Sequence, residues 1–131
     1  MTYLLDTVTC IGVLRQMPGM VQRLSQISPT ECAVSAITVY ELFCGVEKAQ
    51  NPGVERRKVE RFLSVIAELT FDRGAAETAA RIRIDLEKKG TVIGPYDILI
   101  ASHGLVKNLT VATNNLSEFQ RVSGLRVEAW P

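Results

Sequence analysis

Ile93-Gly94-Pro95-Tyr96-Asp97-Ile98-Leu99-Ile100-Ala101-Ser102-His103 is the stretch on which the reading of this chain turns. A Gly-Pro turn leads directly into an apolar segment, and proline presets the backbone for a helix start. Ile98, Ile100, Ala101 and Leu105 leave the segment from about Tyr96 to Val106 with almost no polar face, which predicts a buried helix. Its first turn carries one carboxylate, Asp97. An acid at that position is favoured by the helix dipole. It can also serve as a metal ligand, provided that other acids reach the same place.

Outward from this helix, strand and helix patterns alternate. Thr2 to Leu5 reads as a short buried strand that ends in Asp6, with Thr7 and Thr9 placed to start the next helix. Ile11, Val13, Leu14 and Met17, then Met20, Val21 and Leu24, recur at helical spacing, and Pro18-Gly19 divides them into two pieces. Cys32 to Ser35 is the second strand, with Ser35 as N-cap of a helix from Ile37 to Val46 that holds Glu41 on an apolar background. Asn51-Pro52-Gly53 reads as a loop and Val54 to Leu69 as an amphipathic helix. Leu69 to Phe71 is expected as a third strand ending at Asp72. Ala75 to Lys89 is a helix stopped by Gly90. After the central helix come a fourth strand from Leu109 to Thr113, a turn at Asn114-Asn115, a short helical piece at Glu118-Phe119, and a fifth strand from Arg126 to Trp130.

Strands alternating with helices predict a three-layer α/β/α domain around a central, mainly parallel sheet of about five strands. The 131 residues make one ordinary domain, spanning residues 1–131, and the 47% apolar and 22% charged content fits a soluble protein. No apolar run approaches the roughly 18 residues of a membrane span, and Asp6 interrupts any signal-peptide pattern, so a cytoplasmic location is expected. Cys10, Cys32 and Cys44 fit neither a disulfide framework nor a zinc pair and are read as small apolar residues. The net charge of +1 does not by itself demand a nucleic-acid partner, although Arg56, Arg57, Lys58 and Arg61 cluster on one helix.

In parallel sheets of this kind, function collects beyond the carboxyl ends of the strands. Asp6 and the Asn114/Asn115/Glu118 turn fall there, and Glu41 and Asp97 lie on helices that reach the same rim. Converging carboxylates repel one another unless a cation joins them. An all-oxygen set suits magnesium or manganese rather than zinc. Other chemistries find little support. His103, the only histidine, lies six positions beyond Asp97, toward the opposite helix face, and reads as a packing or surface residue. No serine or cysteine nucleophile has a histidine neighbour, and no glycine-rich phosphate loop is present.

Four local sequences carry a family resemblance: Leu4-Leu5-Asp6-Thr7, Ser35-Ala36-Ile37-Thr38-Val39-Tyr40-Glu41-Leu42, Ile93-Gly94-Pro95-Tyr96-Asp97-Ile98-Leu99-Ile100-Ala101, and Thr113-Asn114-Asn115-Leu116-Ser117-Glu118-Phe119-Gln120-Arg121-Val122. In this order, and on to the closing Leu125 and Trp130, the chain resembles PIN-domain ribonucleases, and most of all the VapC toxins of bacterial type II toxin–antitoxin pairs. The resemblance implies a Mg²⁺- or Mn²⁺-dependent endoribonuclease. Asp6, Glu41 and Asp97 match the family's metal-binding acids, Glu118 a more variable fourth acid, and Thr113 a hydroxyl that orients the site. Asn115 stands where many relatives have Asp. It also implies an RNA substrate, a small antitoxin that wraps a groove between the first helical region and the helix bearing Glu41, and a homodimer. Arg15, Arg23 or the Arg56–Arg61 cluster would line a basic channel in that dimer. One position departs from the pattern: Val8 stands where the family has an Asn that braces the acids. This departure motivates the alternative reading, a catalytically impaired module that binds RNA or protein.

Overall fold

In the computed structural model, which describes residues 1–131, the first strand made is the centre of the sheet. Strand β1 (Tyr3–Leu5) pairs on one side with β2 (Cys32–Ser35) and on the other with β4 (Thr110–Thr113). β3 (Ala67–Leu69) extends the sheet beyond β2, and β5 (Val127–Ala129) beyond β4, giving the order β3-β2-β1-β4-β5. All four pairings are parallel. Parallel strands need crossover helices, and these cover both faces.

Side chains alternate along β1. Leu4 enters one core with Ala33 and Val111, and Leu5 enters the other with Val34 and Ala112. The first core is closed by α5 (Arg73–Lys89) and α6 (Pro95–Val106), with Phe119 from the single turn α7 (Leu116–Phe119). The second is closed by α1 (Thr7–Leu14), α3 (Ala36–Lys48) and α4 (Pro52–Leu63). α2 (Pro18–Ser25) packs on α1, and its Met20 is buried. Trp130, just after β5, is fully buried and meets the Tyr3 ring, while Arg23 from α2 lies over both rings and pairs with Glu128 at 3.0 Å.

The sequence reading of three-layer α/β/α architecture around a five-stranded sheet matches this fold. Its boundaries shift in three places. Asn51-Pro52-Gly53 does not remain a loop: the Asn51 side chain accepts from the Val54 amide and Pro52 occupies the first helical position, so the stretch starts α4. That helix stops at Leu63 rather than continuing to Leu69, because Ser64 turns its hydroxyl back to the Arg61 carbonyl and the β-branched Val65 and Ile66 follow. β3 therefore begins two residues earlier than expected, at Ala67, where the register sets Ala67 to Leu69 against Ala33 to Ser35. Phe71 still packs on the core, and Asp72 caps α5 through the Ala75 amide. Gly90 ends α5 with φ +68°, the left-handed turn that favours glycine. Cys10 and Cys32 are buried and Cys44 half-buried, all as free thiols. No helix is long and apolar enough to cross a membrane.

Candidate active site

Asp6 follows β1 directly, and its location rather than Thr7 or Thr9 starts the next helix. It is the N-cap of α1: Oδ1 accepts from the Thr9 amide at 2.8 Å, satisfying one of the unpaired donors of the first turn. Oδ2 accepts from the Thr113 hydroxyl at 2.6 Å, at the end of the neighbouring β4. Thr113 in turn accepts from the Asn115 amide at 2.8 Å. Asp6 is 2% exposed. Burial raises its pKa, and the bonds from Thr113 and Thr9 oppose that rise. The parallel pairing of β1 with β4 is what brings these two sequence-distant residues together.

Glu41 reaches the rim from α3. Its Oε1 accepts from the Thr7 hydroxyl at 2.7 Å, and Thr7 lies 3.0 Å from the Thr38 hydroxyl. Glu118 reaches it from α7, where Oε1 accepts from the Gly94 amide at 3.3 Å and Oε2 takes the Asn115 side-chain amide. Asn115 thus serves twice, through its backbone on Thr113 and through its side chain on Glu118.

Asp97 completes the group from the first turn of α6. Its carboxyl is raised from the ordinary 3.8 to about 7, first by burial and then by the negative charges of Glu118, Asp6 and Glu41; no donor offsets them. The other three acids singled out in the sequence therefore all act electrostatically on Asp97. They are not drawn tightly enough to form a ready-made cage of three ligands. The braced acids hold their donors on part of their oxygen set, and the half-buried Asp97 lacks compensation. Such a set of carboxylates fits a hard divalent cation, which prefers oxygen ligands and keeps several waters of its own.

Two hydroxyls escaped the sequence reading as site residues. Thr7 and Thr38 brace Glu41; the available signal was that Thr38 lies three residues before Glu41 on the same helix face, and that Thr7 follows Asp6. A pair of aromatic rings also borders the acids. Tyr40 and Tyr96 meet edge to face, with centroids 5.7 Å apart. The Tyr96 hydroxyl, and after it the Cys44 thiol, push the Tyr40 phenol up to about 12. Val8 is 49% exposed, and the hydrogen bonds around Asp6 and Glu41 come from its neighbours Thr7 and Thr9. His103 is buried away from the acids, its Nε2 3.1 Å from the Thr70 carbonyl and its ring edge-on to Phe71. Among the basic residues, Arg23 is committed to Glu128, Arg56 to Glu60 and Lys58 to Glu55. A groove of about 640 Å³ runs between α1, α3 and α4 from Glu41 past Arg15, Lys48 and Lys58, over the apolar Ile11, Leu42 and Val46.

Comparison with known proteins agrees with this fold. Residues 3–125 match the PIN domain. The chain is 39% identical over 128 residues to the tRNA(fMet)-specific endonuclease VapC of Salmonella typhimurium, an alignment that covers 98% of this chain and 97% of that one. It is 33% identical over 132 residues to ribonuclease VapC2 of Rickettsia felis, covering 99% and 98%. The fold superposes with a TM-score of 0.94 on a chain of the DNA-bound VapBC complex from Salmonella typhimurium, at 38% identity and covering 100% and 99% of the two chains. A parallel sheet with acids from β1, α3, α6 and α7 at its carboxyl rim, matched along nearly its whole length by proteins of one kind, places this chain in the PIN-domain family, among the VapC ribonucleases.

Proposed function

We propose that this chain, acting as one domain over residues 1–131, is a toxin that cuts RNA with a divalent cation, Mg²⁺ or Mn²⁺, held at the Asp6, Glu41, Asp97 and Glu118 carboxylates. The observation that carries the reading is the convergence of the four acids: burial first, and then the charges of Glu118, Asp6 and Glu41, raise the pKa of Asp97 to about 7, and a cation relieves that repulsion without giving up the negative charge. A divalent ion there supplies a Lewis acid that lowers the pKa of water and offsets charge building on a phosphate. The chain's own groups do the rest. Asp6 is oriented by Thr113 and Thr9, Glu41 by Thr7, and Glu118 by Gly94 and Asn115, so three carboxylates are fixed before substrate arrives. With a cation bound, Asp97 would be held ionised and would serve as the fourth anionic ligand. Catalytic roles are assigned to Asp6, Glu41, Asp97 and Glu118, with Thr113 and Asn115 as positioning residues.

The name of the Salmonella relative makes initiator transfer RNA the first substrate to test. The relatives' VapBC complexes support a small antitoxin as partner. The groove beside Glu41 suits it: an apolar floor takes an amphipathic helix, and a basic residue of that helix would neutralise the acids. A homodimer is part of the same reading. Cleavage of RNA in Mg²⁺ or Mn²⁺, abolished by EDTA and by Asp97→Asn, is the expected result. Equal, EDTA-insensitive activity in wild type and Asp97→Asn would overturn the assignment. A monomer in sedimentation at tens of micromolar would reject the homodimer.

A further inference from the structure

β5 is an edge strand of three residues and pairs with β4 alone. So short a strand, bonded on one side, opens readily unless side chains hold it. A clasp of side chains does so. The Trp130 indole is fully buried, and its Nε1 donates to Glu128 Oε2 at 2.6 Å. Arg23 of α2 donates to the same oxygen at 3.0 Å and lies over the Trp130 ring. The Tyr3 hydroxyl accepts from Arg23 at 3.1 Å, and its ring packs against the indole. Bonds from a guanidinium to a carboxylate are among the stronger hydrogen bonds of a protein. α2 closes on the backbone here as well, since a Cβ on Gly19 would run into the Pro131 carbonyl oxygen.

None of these bonds reaches an acid of the site, but a backbone bond leads from the clasp to Asp6. The Trp130 amide donates to the Thr113 carbonyl at 2.9 Å, and the Thr113 hydroxyl donates to Asp6 Oδ2 at 2.6 Å. On its other edge β4 is held at Ala112, whose carbonyl accepts from the Asp6 amide at 3.2 Å and from the Thr9 hydroxyl at 3.0 Å. Thr113 is fully buried and β-branched, so its side-chain torsion is stiff and its hydroxyl goes where the strand end goes. The place of that hydroxyl therefore depends on how firmly Trp130 is seated.

We infer that Trp130 is a positioning residue of the site: seated by Arg23, Glu128 and Tyr3, it holds the end of β4 so that the Thr113 hydroxyl fixes Asp6, and loosening the clasp weakens the hold on a divalent cation. The inference rests on the metal reading above and adds to it a control point at the edge of the sheet. Arg23 then serves the site from α2, through Glu128 and Trp130, without touching it.

The test uses the intact protein with and without metal. In EDTA, NMR follows hydrogen exchange of the Asn115 amide, which donates to Thr113, and of the Thr9 amide, which donates to Asp6. Trp130→Phe keeps a buried ring and loses the bond to Glu128. Arg23→Gln loosens the clasp from outside and leaves the indole in place; should Trp130→Phe not fold, it carries the test alone. Each variant is expected to speed both amides by about three- to tenfold, the weight of one hydrogen bond, with the Ile98 amide at the start of α6 unchanged. The Kd for Mn²⁺, read by electron paramagnetic resonance, should rise by a similar factor. Thr113→Val removes the last link and should weaken Mn²⁺ binding by about tenfold or more, as for outer partners of metal ligands. Added to Thr113→Val, Trp130→Phe should cost no further Mn²⁺ affinity while still lowering Tm. A fall in Tm with exchange and Mn²⁺ affinity unchanged would reduce the clasp to fold stability and overturn the inference. So would an equal loss of affinity from Trp130→Phe with and without Thr113→Val, since the effect would then bypass Thr113. The two readings fail separately. Mn²⁺ affinity that follows Trp130 without any RNA cleavage removes the nuclease and keeps the clasp, and cleavage with exchange and affinity indifferent to both variants does the reverse. A wild type that binds no Mn²⁺ removes the metal reading, and the exchange rates in EDTA then decide the clasp alone.

Discussion

Asp6 and Asp97 carry the same carboxyl group, and burial raises the pKa of both, yet the fold compensates only one of them. Asp6, delivered by the sheet, is 2% exposed and tied through both oxygens, to Thr9 and to Thr113. Asp97, delivered by a helix, is half-buried, and every influence on it raises its pKa. The sheet side of the site is thus a fixed, hydrogen-bonded anion, and the helix side is an anion held in check by its neighbours. The lesson is that one acid has donors that offset part of the cost of its burial, whereas the other meets that cost with none.

The largest expected effect is on turnover. Asp6→Asn and Asp97→Asn should each lower kcat/KM for RNA by about a thousandfold or more, as for members of a group that acts as a unit. Stability should separate them. Asp6→Ala removes the cap of α1 and orphans the buried Thr113 hydroxyl, a loss of about 2–3 kcal/mol in chemical denaturation. Asp97→Asn should stabilise the fold in EDTA by about 1 kcal/mol or less, read as a higher Tm, because its half-exposed site is screened by solvent. A lower Tm for Asp97→Asn would mean that the two acids are alike after all.

The difference also appears with pH and metal. Asp97 binds a proton more tightly folded, at about 7, than unfolded, at 3.8. In EDTA its contribution is therefore full below about pH 4 and is lost as the pH rises toward 7. Wild type should lose stability between pH 4 and 7 relative to Asp97→Asn, which thermal melts at matched ionic strength would resolve. Millimolar Mn²⁺ at pH 7.5 should recover the loss in wild type, with about 2.7 kcal/mol available at a hundredfold excess over Kd. Asp97→Asn should gain far less. Val8→Asn should do least. Val8 is solvent-facing and the acids already have their donors, so stability should stay within about 0.5 kcal/mol. Cleavage should change little; a rise above tenfold would restore the impaired-module reading.

The helix-borne half of this comparison was the more legible in the sequence. Pro95 and the apolar run behind it place Asp97 at a helix start, and the alternation of elements puts Asp6 at a strand end. Local pattern shows both. The Asp6–Thr113 bond was not visible as geometry, because it depends on β1 pairing with β4 and not only with β2. Thr113 entered only through the family resemblance. Thr7 and Thr38 stay outside the sequence reading of the site for a similar reason: the Thr7 hydroxyl reads as helix-start chemistry, and Thr38 has no role of its own until α1 and α3 are packed side by side. The errors at Pro52 and at Ala67 came from local signals with two meanings. Asn-Pro-Gly marks a turn and also starts a helix, and the β-branched pair after Leu63 fits a helix face as well as the approach to a strand.

The place of β1 in the sheet governs when the protein becomes dangerous. Asp6 leaves the ribosome well before its partner Thr113, which lies 107 positions later in the chain. At about 5–20 residues per second, that interval is on the order of ten seconds of translation. Until β4 has been made, the central strand lacks one neighbour and the four acids cannot assemble. With the acids in the proposed roles, a nascent chain would stay inactive until the segment bearing Thr113 has been made and has reached β1.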